Sequence, residues 1–216
     1  MNEVVREIHA ANDAARFRER LYRSKDGVWK NTANPLLAET AAHLTPGRAL
    51  DLSCGEGGDT LRLATHGWHV TAVDIAPTAL QRTAQLAARN GVADRVRTEQ
   101  HDLAGTFPAG TFDLISAQYL QTPYSFPRTG ILRQAAHALT PGGILLIVDH
   151  GSIRPWAWHT DPDAHFPDPE DIYDDLALEA ARWIPQRLAT SERVATGPNG
   201  QTAPVTDTVI AVRRIA

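Results

Sequence analysis

The sequence predicts an α/β chain on a doubly wound, mainly parallel seven-stranded sheet, with a C-terminal antiparallel hairpin and a helical N-terminal arm. Three observations carry this expectation. Short apolar runs alternate with stretches of helical periodicity from Ala49 to Val148, the pattern of strand–helix–strand units in a parallel sheet. Ile144-Leu145-Leu146-Ile147-Val148 is apolar without interruption, as suits a strand buried on both faces. Two β-rich segments, near 185–196 and 204–214, flank Gly197-Pro198-Asn199-Gly200, which reads as a hairpin turn.

In chain order, residues 4–22 space Val4, Val5, Ile8, Phe17 and Leu21 as an amphipathic helix does. A loop over 23–33 follows, with Trp29 as its one large apolar group. Asn34-Pro35 starts a helix, Asn34 as N-cap and Pro35 in the first turn; it ends before Pro46-Gly47. Leu50 to Leu52 closes the first strand, and a helix with Leu61, Leu63 and Ala64 follows. His69 to Val73 is the second strand. Pro77 opens a helix that ends at Asn90-Gly91, a good C-terminal pair. Val96–Gln100 and Phe112–Ser116 are the third and fourth strands. A helix near 128–139 and the turn Thr140-Pro141-Gly142-Gly143 lead into the fifth. Pro155, Pro162, Pro167 and Pro169 break up residues 151–170, an excursion long enough to suggest a functional loop or lid. A short helix near 170–178 precedes the hairpin. The expected organisation is one domain: arm 1–47, core 48–150, loop and helix 151–180, hairpin 181–216.

A chain of 216 residues buries roughly 70% of its unfolded surface, so its core needs no disulfide or metal. Cys54 is the single cysteine, which fits a reducing compartment. The first twenty residues are rich in charge and lack a signal-type apolar run, and no later run resembles a bilayer span. A net charge of −4 without a long basic block argues against nucleic acid as the main partner. The expectation is a cytoplasmic protein with a small-molecule partner, no membrane and no nucleic acid; oligomeric state is not legible.

The chemistry concentrates at Asp51-Leu52-Ser53-Cys54-Gly55-Glu56-Gly57-Gly58-Asp59. A strand, a glycine turn and a helix N-terminus bring backbone N–H groups close to a ligand. Asp74 ends the next strand, where an acid can accept both hydroxyls of a ribose. The dinucleotide pattern G-x-G-x-x-G fails because Thr60 takes the third glycine position, and no Lys-Ser or Lys-Thr completes a phosphate loop. Glu56 and Asp59 would also face a pyrophosphate, at a cost of about 4 kcal/mol per like-charge contact near 4 Å. S-adenosylmethionine has no phosphate and carries a cationic sulfonium, so it suits an acidic turn.

These motifs resemble those of the class I S-adenosylmethionine-dependent methyltransferases. Asp51 to Gly57 resembles the first motif, Asp74 the ribose acid, His101-Asp102-Leu103 the adenine turn and Leu139 to Gly143 the turn before the fifth strand. The N-terminal helix, Trp29 and Asn34-Pro35 resemble the arm of tellurite-resistance and thiopurine-type small-molecule methyltransferases. The resemblance implies a Rossmann-like sheet and a cofactor site comprising Asp51, Ser53, Cys54, Gly55, Gly57, Asp74, Ile75, Asp102, Leu103, Ala117, Gln118 and Trp29. Ser53 stands where the family usually has glycine, so its backbone is expected to avoid conformations that only glycine reaches freely.

Other residues admit two readings. Trp29 either covers the sulfonium with its indole face or anchors the arm in the core. Cys54 reads as a small apolar group rather than a nucleophile. Gln118, Tyr119 and Gln121 follow the fourth strand at the crevice edge, and Tyr119 is a candidate catalytic residue. His150, past the fifth strand, is the candidate general base or else a polar strand-end residue. His159, His165, Asp161 and Asp163 lack compact metal-ligand spacing. Trp156, Trp158 and Phe166 either wall a substrate pocket or pin the loop. The expected reaction is methyl transfer from S-adenosylmethionine to a small-molecule thiol, soft anion, hydroxyl or amine, with arm and excursion closing over the crevice. A non-catalytic sensor of the cofactor and a nicotinamide-dependent oxidoreductase are the alternatives.

Overall fold

The computed structural model describes residues 11–24, 32–122, 126–156, 165–197 and 200–216. Seven strands are present: β1 (Arg48–Leu52), β2 (His69–Asp74), β3 (Val96–Gln100), β4 (Phe112–Gln118), β5 (Leu139–His150), β6 (Trp183–Thr196) and β7 (Thr202–Arg214). They form one sheet in the order β3-β2-β1-β4-β5-β7-β6. The first five run parallel, and β7 is antiparallel to both β5 and β6. The helices are α1 (Ala11–Ser24), α2 (Pro35–Ala42), α3 (Gly58–Thr65), α4 (Pro77–Arg89), α5 (Arg128–His137) and α6 (Pro169–Asp175). The seven strands, the winding and the terminal hairpin are those the sequence predicts.

Alternate residues of each strand feed opposite faces of the sheet. On one face Leu50, Leu52, Ile115, Leu145 and Ile147 pack under Ile131, Leu132 and Ala135 of α5 and Ile172 of α6. On the other, Ala49, Leu114, Leu146 and Val148 pack under Leu36 and Leu37 of α2, Leu63 of α3 and Trp68. Trp183 fixes the hairpin to the first face. It is 1% exposed, its Nε1 donates to the Ala136 carbonyl at 3.3 Å, and the Arg182 and Arg214 guanidiniums lie over its ring.

Local chemistry explains the termini. Asn34 caps α2 by accepting from the Leu36 N–H at 3.0 Å, as expected of that residue before proline. The first turn of α4 has no cap of its own; Glu19 of α1 supplies one, accepting from the Thr78 backbone N–H at 3.1 Å and its hydroxyl at 2.6 Å. Tyr22 of α1 is buried against Ala76 and Ala79. The arm is thereby docked on the helix that follows β2. Of the expected helix over 4–22, only the part from Ala11 lies among the described residues, and it runs on to Ser24.

Two boundaries differ from expectation. The turn expected at Thr140 to Gly143 lies within β5: Leu139 already pairs with Phe112, then the register jumps so that Ile144 faces Leu114. The extra residues bulge out of the ladder, with Gly142 at φ 87°. The helix expected near 170–178 ends at Asp175, because Ala177 takes a left-handed φ of 48°.

At Gly143 a methyl group would meet the Thr140 and Phe112 carbonyls at 2.9 and 3.0 Å. Both are backbone and neither can swing aside. Gly143→Ala is expected to lower stability by about 1–3 kcal/mol, the usual range for overpacking. Urea denaturation reads this directly, and an unchanged midpoint would show that the bulge yields freely.

Candidate functional site

The order of the strands reverses at β1, which pairs with β2 on one side and β4 on the other. Ligands of such sheets bind outside the carboxyl ends of the strands at this switch point. A cleft lies there, and its walls include Ser53 after β1, Asp74 and Ile75 at β2, and His101, Asp102 and Leu103 after β3. Tyr119, Leu120 and Gln121 after β4, Phe126, and Ala14 and Arg18 of α1 complete it.

Asp74 organises the turns beside the cleft. Its Oδ2 accepts the Gly55 N–H at 3.1 Å and its Oδ1 the Ala76 N–H at 2.9 Å. Burial raises its pKa, while those two N–H groups and the charge of Arg18 oppose the rise. Arg18 also reaches the Gln121 carbonyl at 3.4 Å, so the arm spans the cleft between its two sides. Asp102 holds its own turn, accepting the Ala104 N–H through Oδ1 at 3.1 Å. His101 sits between Thr106 at 3.0 Å and Glu99 at 3.1 Å.

Ser53 corrects the sequence-based expectation. It does not avoid the left-handed region but occupies it, at φ 60°, because the chain must reverse at once from β1 into the turn. Gly55 and Gly57 follow at φ 55° and 85°. Gly57 is also required by packing, since a Cβ there would lie 2.8 Å from the Thr83 side chain of α4. Ser53 is exposed on the cleft wall, whereas Asp51, Cys54, Gly57 and Ala117 are buried outside it. The Cys54 N–H is taken by the Val73 carbonyl at 2.9 Å, and its side chain packs with Ala72 and Leu80. Burial pushes the thiol pKa well up, so a small structural group is what this cysteine is.

Two acids meet behind the turn, Asp51 buried and Asp59 half-buried. The Asp51 carboxyl accepts from the Thr60 hydroxyl at 2.6 Å, and burial, then Asp59, push its pKa up to about 8. Asp59 accepts the Asn34 N–H at 2.7 Å and is itself pushed up to about 6 by burial. Among the described residues no basic side chain pairs with either. Glu56, by contrast, is paired with Arg82 at 2.6 Å. The charge argument against a pyrophosphate therefore rests on Asp51 and Asp59 and no longer on Glu56.

The comparisons point the same way. Residues 49–143 match the family model described as a methyltransferase domain. A ubiquinone biosynthesis O-methyltransferase of Xanthomonas euvesicatoria pv. vesicatoria is 33% identical over 128 residues, 56% of this chain and 53% of its own. Residues 49–143 are thus similar to methyltransferase domains. A ribosomal RNA small subunit methyltransferase C of Alcanivorax borkumensis is 28% identical over 56% of this chain and 37% of its own length. This chain thus spans about half the length, or less, of these curated relatives. The N-methyltransferase NodS of Bradyrhizobium japonicum WM9, solved with S-adenosyl-L-homocysteine, shares the fold at a TM-score of 0.66. It is 18% identical and is covered over 98% of its chain, against 94% of this one.

Beyond these motifs, the chain carries a polar cluster past the ends of β4 and β5, where Asp207 of β7 pairs with His150. Tyr119, at φ 51°, donates its hydroxyl to Asp207 at 3.1 Å. It accepts from Arg193 at 2.9 Å and from Asn34 at 3.3 Å, and Arg193 pairs with Asp207. Burial, then Asp207, push the phenol up to about 12. His150 stacks on the Tyr119 ring at 4.2 Å. Its Nε2 accepts from the Arg154 guanidinium at 2.7 Å, and burial, then Arg154, push it down to about 4. A general base needs a free lone pair and a pKa near neutrality. His150 has neither here, and it is not a wall of the cleft. Gln118 likewise faces away from the cleft, holding the cap residue Asn34 through its Oε1 at 2.8 Å.

Trp29, Trp158, His159, Asp161 and Asp163 lie outside the described residues. Arg18, Arg154, Arg193 and Asp207 are the functional candidates that sequence reasoning missed. One signal existed: Asp207 is a lone charge in the apolar strand Val205-Thr206-Asp207-Thr208-Val209.

A left-handed turn at Ser53 has measurable consequences. Ser53→Gly removes about 1 kcal/mol of left-handed strain and adds a similar entropic cost, so stability and S-adenosylhomocysteine affinity should hold. Ser53→Val puts a β-branched residue at positive φ, a genuine outlier, and is expected to cost about 1–3 kcal/mol. Equal denaturation midpoints for all three proteins would contradict the observed turn.

Proposed function

We propose that the protein transfers the methyl group of S-adenosylmethionine to a small-molecule acceptor. The observation that carries this reading is the acid pair Asp51–Asp59, without a basic partner among the described residues, behind a glycine turn that opens on a cleft. Buried carboxyls without counter-ions favour a cationic ligand and repel a phosphate. S-adenosylmethionine supplies an ammonium, a sulfonium and an electrophilic methyl carbon. Asp74 keeps lone pairs beyond those used by Gly55 and Ala76, and they take the ribose hydroxyls. Asp102 takes the adenine amine, and Ile75 and Leu103 flank the ring. Tyr119 and Leu120 form the far wall, toward the acceptor. The chain's contribution is to orient the acceptor in line with the methyl group and to exclude water, which is where most of such a rate enhancement arises.

The test has two arms. Isothermal titration with S-adenosylmethionine, S-adenosylhomocysteine and NAD separates a methyltransferase from an oxidoreductase; tight NAD binding without S-adenosylmethionine binding would sink the proposal. Labelled S-adenosylmethionine with a panel of thiols, phenols and amines then separates an enzyme from a sensor. Binding with silence across the panel would favour the sensor. Asp74→Ala is expected to weaken the cofactor by at least about tenfold, the worth of a charge-assisted hydrogen bond.

The acid pair also sets a pH dependence. Its raised pKa values keep a proton in the ligand-free site up to about pH 8, and a bound cation expels that proton. Affinity for S-adenosylmethionine should therefore rise between pH 6 and pH 7.5, by up to about tenfold per unit for one linked proton. Asp51→Asn removes the linkage and should flatten the profile. Parallel slopes for the two proteins would show that Asp51 holds no such proton. Stability runs the opposite way: a carboxyl whose pKa is raised in the folded state stabilises below its unfolded pKa, and that contribution is lost as pH climbs toward 8.

A further inference from the structure

We infer that Arg154 and Arg193, on the far side of Tyr119 from the acid pair, form a recognition site for a carboxylate of the acceptor molecule. The inference rests on the methyltransferase reading and deepens it. Arg193 pairs with the carboxylate of Asp207 and holds the Tyr119 hydroxyl, while Arg154 joins the cluster through His150, which stacks on the Tyr119 ring. Arg193 takes Asp207 as its partner and keeps 29% of its side chain exposed. Arg154, half-buried, has only the His150 ring nitrogen as a partner among the described residues.

An arginine without a carboxylate, desolvated and beside a second arginine, is an arrangement that costs energy until an anion arrives. Burial, then Arg193 among its neighbours, lower the Arg154 pKa. The other titratable members add no charge, since His150 and Tyr119 are held neutral. Among the described residues the cluster therefore carries one net positive charge.

That balance selects the ligand. A single positive charge matches a monoanion, and the Asp207 carboxylate would oppose the second charge of a phosphate. The planar guanidinium fork matches a planar carboxylate. Placement agrees, because Tyr119 belongs to both the cluster and the cleft wall. Arg154 sits just past the end of β5, at the carboxyl edge of the sheet where ligands bind. The chemistry also agrees. Neither His150 nor Tyr119 is available as a base, so an acceptor that arrives already ionised, or whose nucleophile ionises unaided, is the kind this site can serve.

Ligand-observed NMR titration of the full chain, loaded with S-adenosylhomocysteine, tests the assignment with benzoate and its uncharged analogue benzamide. Benzoate is expected to bind about tenfold more tightly, as one charge-assisted hydrogen bond implies. Arg154→Ala should erase that preference while S-adenosylhomocysteine still binds, and Arg154→Lys should restore part of it. Equal affinities for benzoate and benzamide, or a preference that survives Arg154→Ala, would overturn the site while leaving the methyltransferase reading intact. Failure of the wild-type chain to bind S-adenosylhomocysteine would overturn that reading and this inference with it.

Discussion

The carboxylate of Asp74 is the constraint on which the crevice depends. One oxygen holds the N–H of Gly55 in the turn after β1, and the other holds the N–H of Ala76 in the turn after β2. Two turns that belong to different helices are thereby fixed to one buried group. Thr83 of α4 completes the linkage, donating to the Gly55 carbonyl at 3.1 Å and packing where Gly57 leaves room. A buried carboxylate is costly unless its lone pairs are satisfied, and backbone N–H groups are strong partners for it. The same hydrogen bonds that stabilise Asp74 therefore set the shape of the cleft wall. Glu19, capping α4 from the arm, places Arg18 over this arrangement.

The fold was legible because its signals are local. Alternation of apolar strands with amphipathic helices, proline and glycine at the turns, and one uninterrupted apolar strand each depend on a few neighbouring residues. The glycine turn, Asp74 and the turn at Asp102 were legible for the same reason. The polar cluster was not. Tyr119 and Asp207 lie 88 positions apart, and Tyr119 and Arg193 lie 74 apart; no spacing rule joins them. His150 shows the limit from the other side. Its place at the end of β5 is visible in sequence, but its basicity is decided by Arg154 and by burial. Ser53 shows it again: the position was visible, while its left-handed backbone follows from how sharply the chain leaves β1.

The crevice is divided by charge. Behind the glycine turn lie Asp51 and Asp59, without basic partners among the described residues. Beyond Tyr119 lie Arg154 and Arg193, with one acid between them. Opposite charges within a low-dielectric site would ordinarily attract and collapse, since their interaction is far stronger there than in water. Here α2 prevents it: Asn34 accepts through its cap, donates its own N–H to Asp59, and gives its side-chain amide to Gln118 and Tyr119. A neutral residue with several hydrogen-bonding groups separates the two poles and joins them into one framework.

This division bears on the proposed transfer. When a sulfonium gives its methyl group to an anion, a cation and an anion both become neutral. Charge is destroyed along the reaction, so a dry site favours the transition state over the separated ions. A fully ionised acid pair would oppose this by holding the sulfonium too firmly, because interactions equal in the ground and transition states add nothing to rate. The raised pKa of Asp51 moderates that grip, because part of the attraction goes into expelling its proton when the cofactor binds. The acids then suffice to select a cationic cofactor without trapping it, and their hold weakens further once the sulfur is neutral. Placing the cationic pole at a distance serves the same end: it draws in an anionic acceptor without competing for the carboxyls that receive the cofactor.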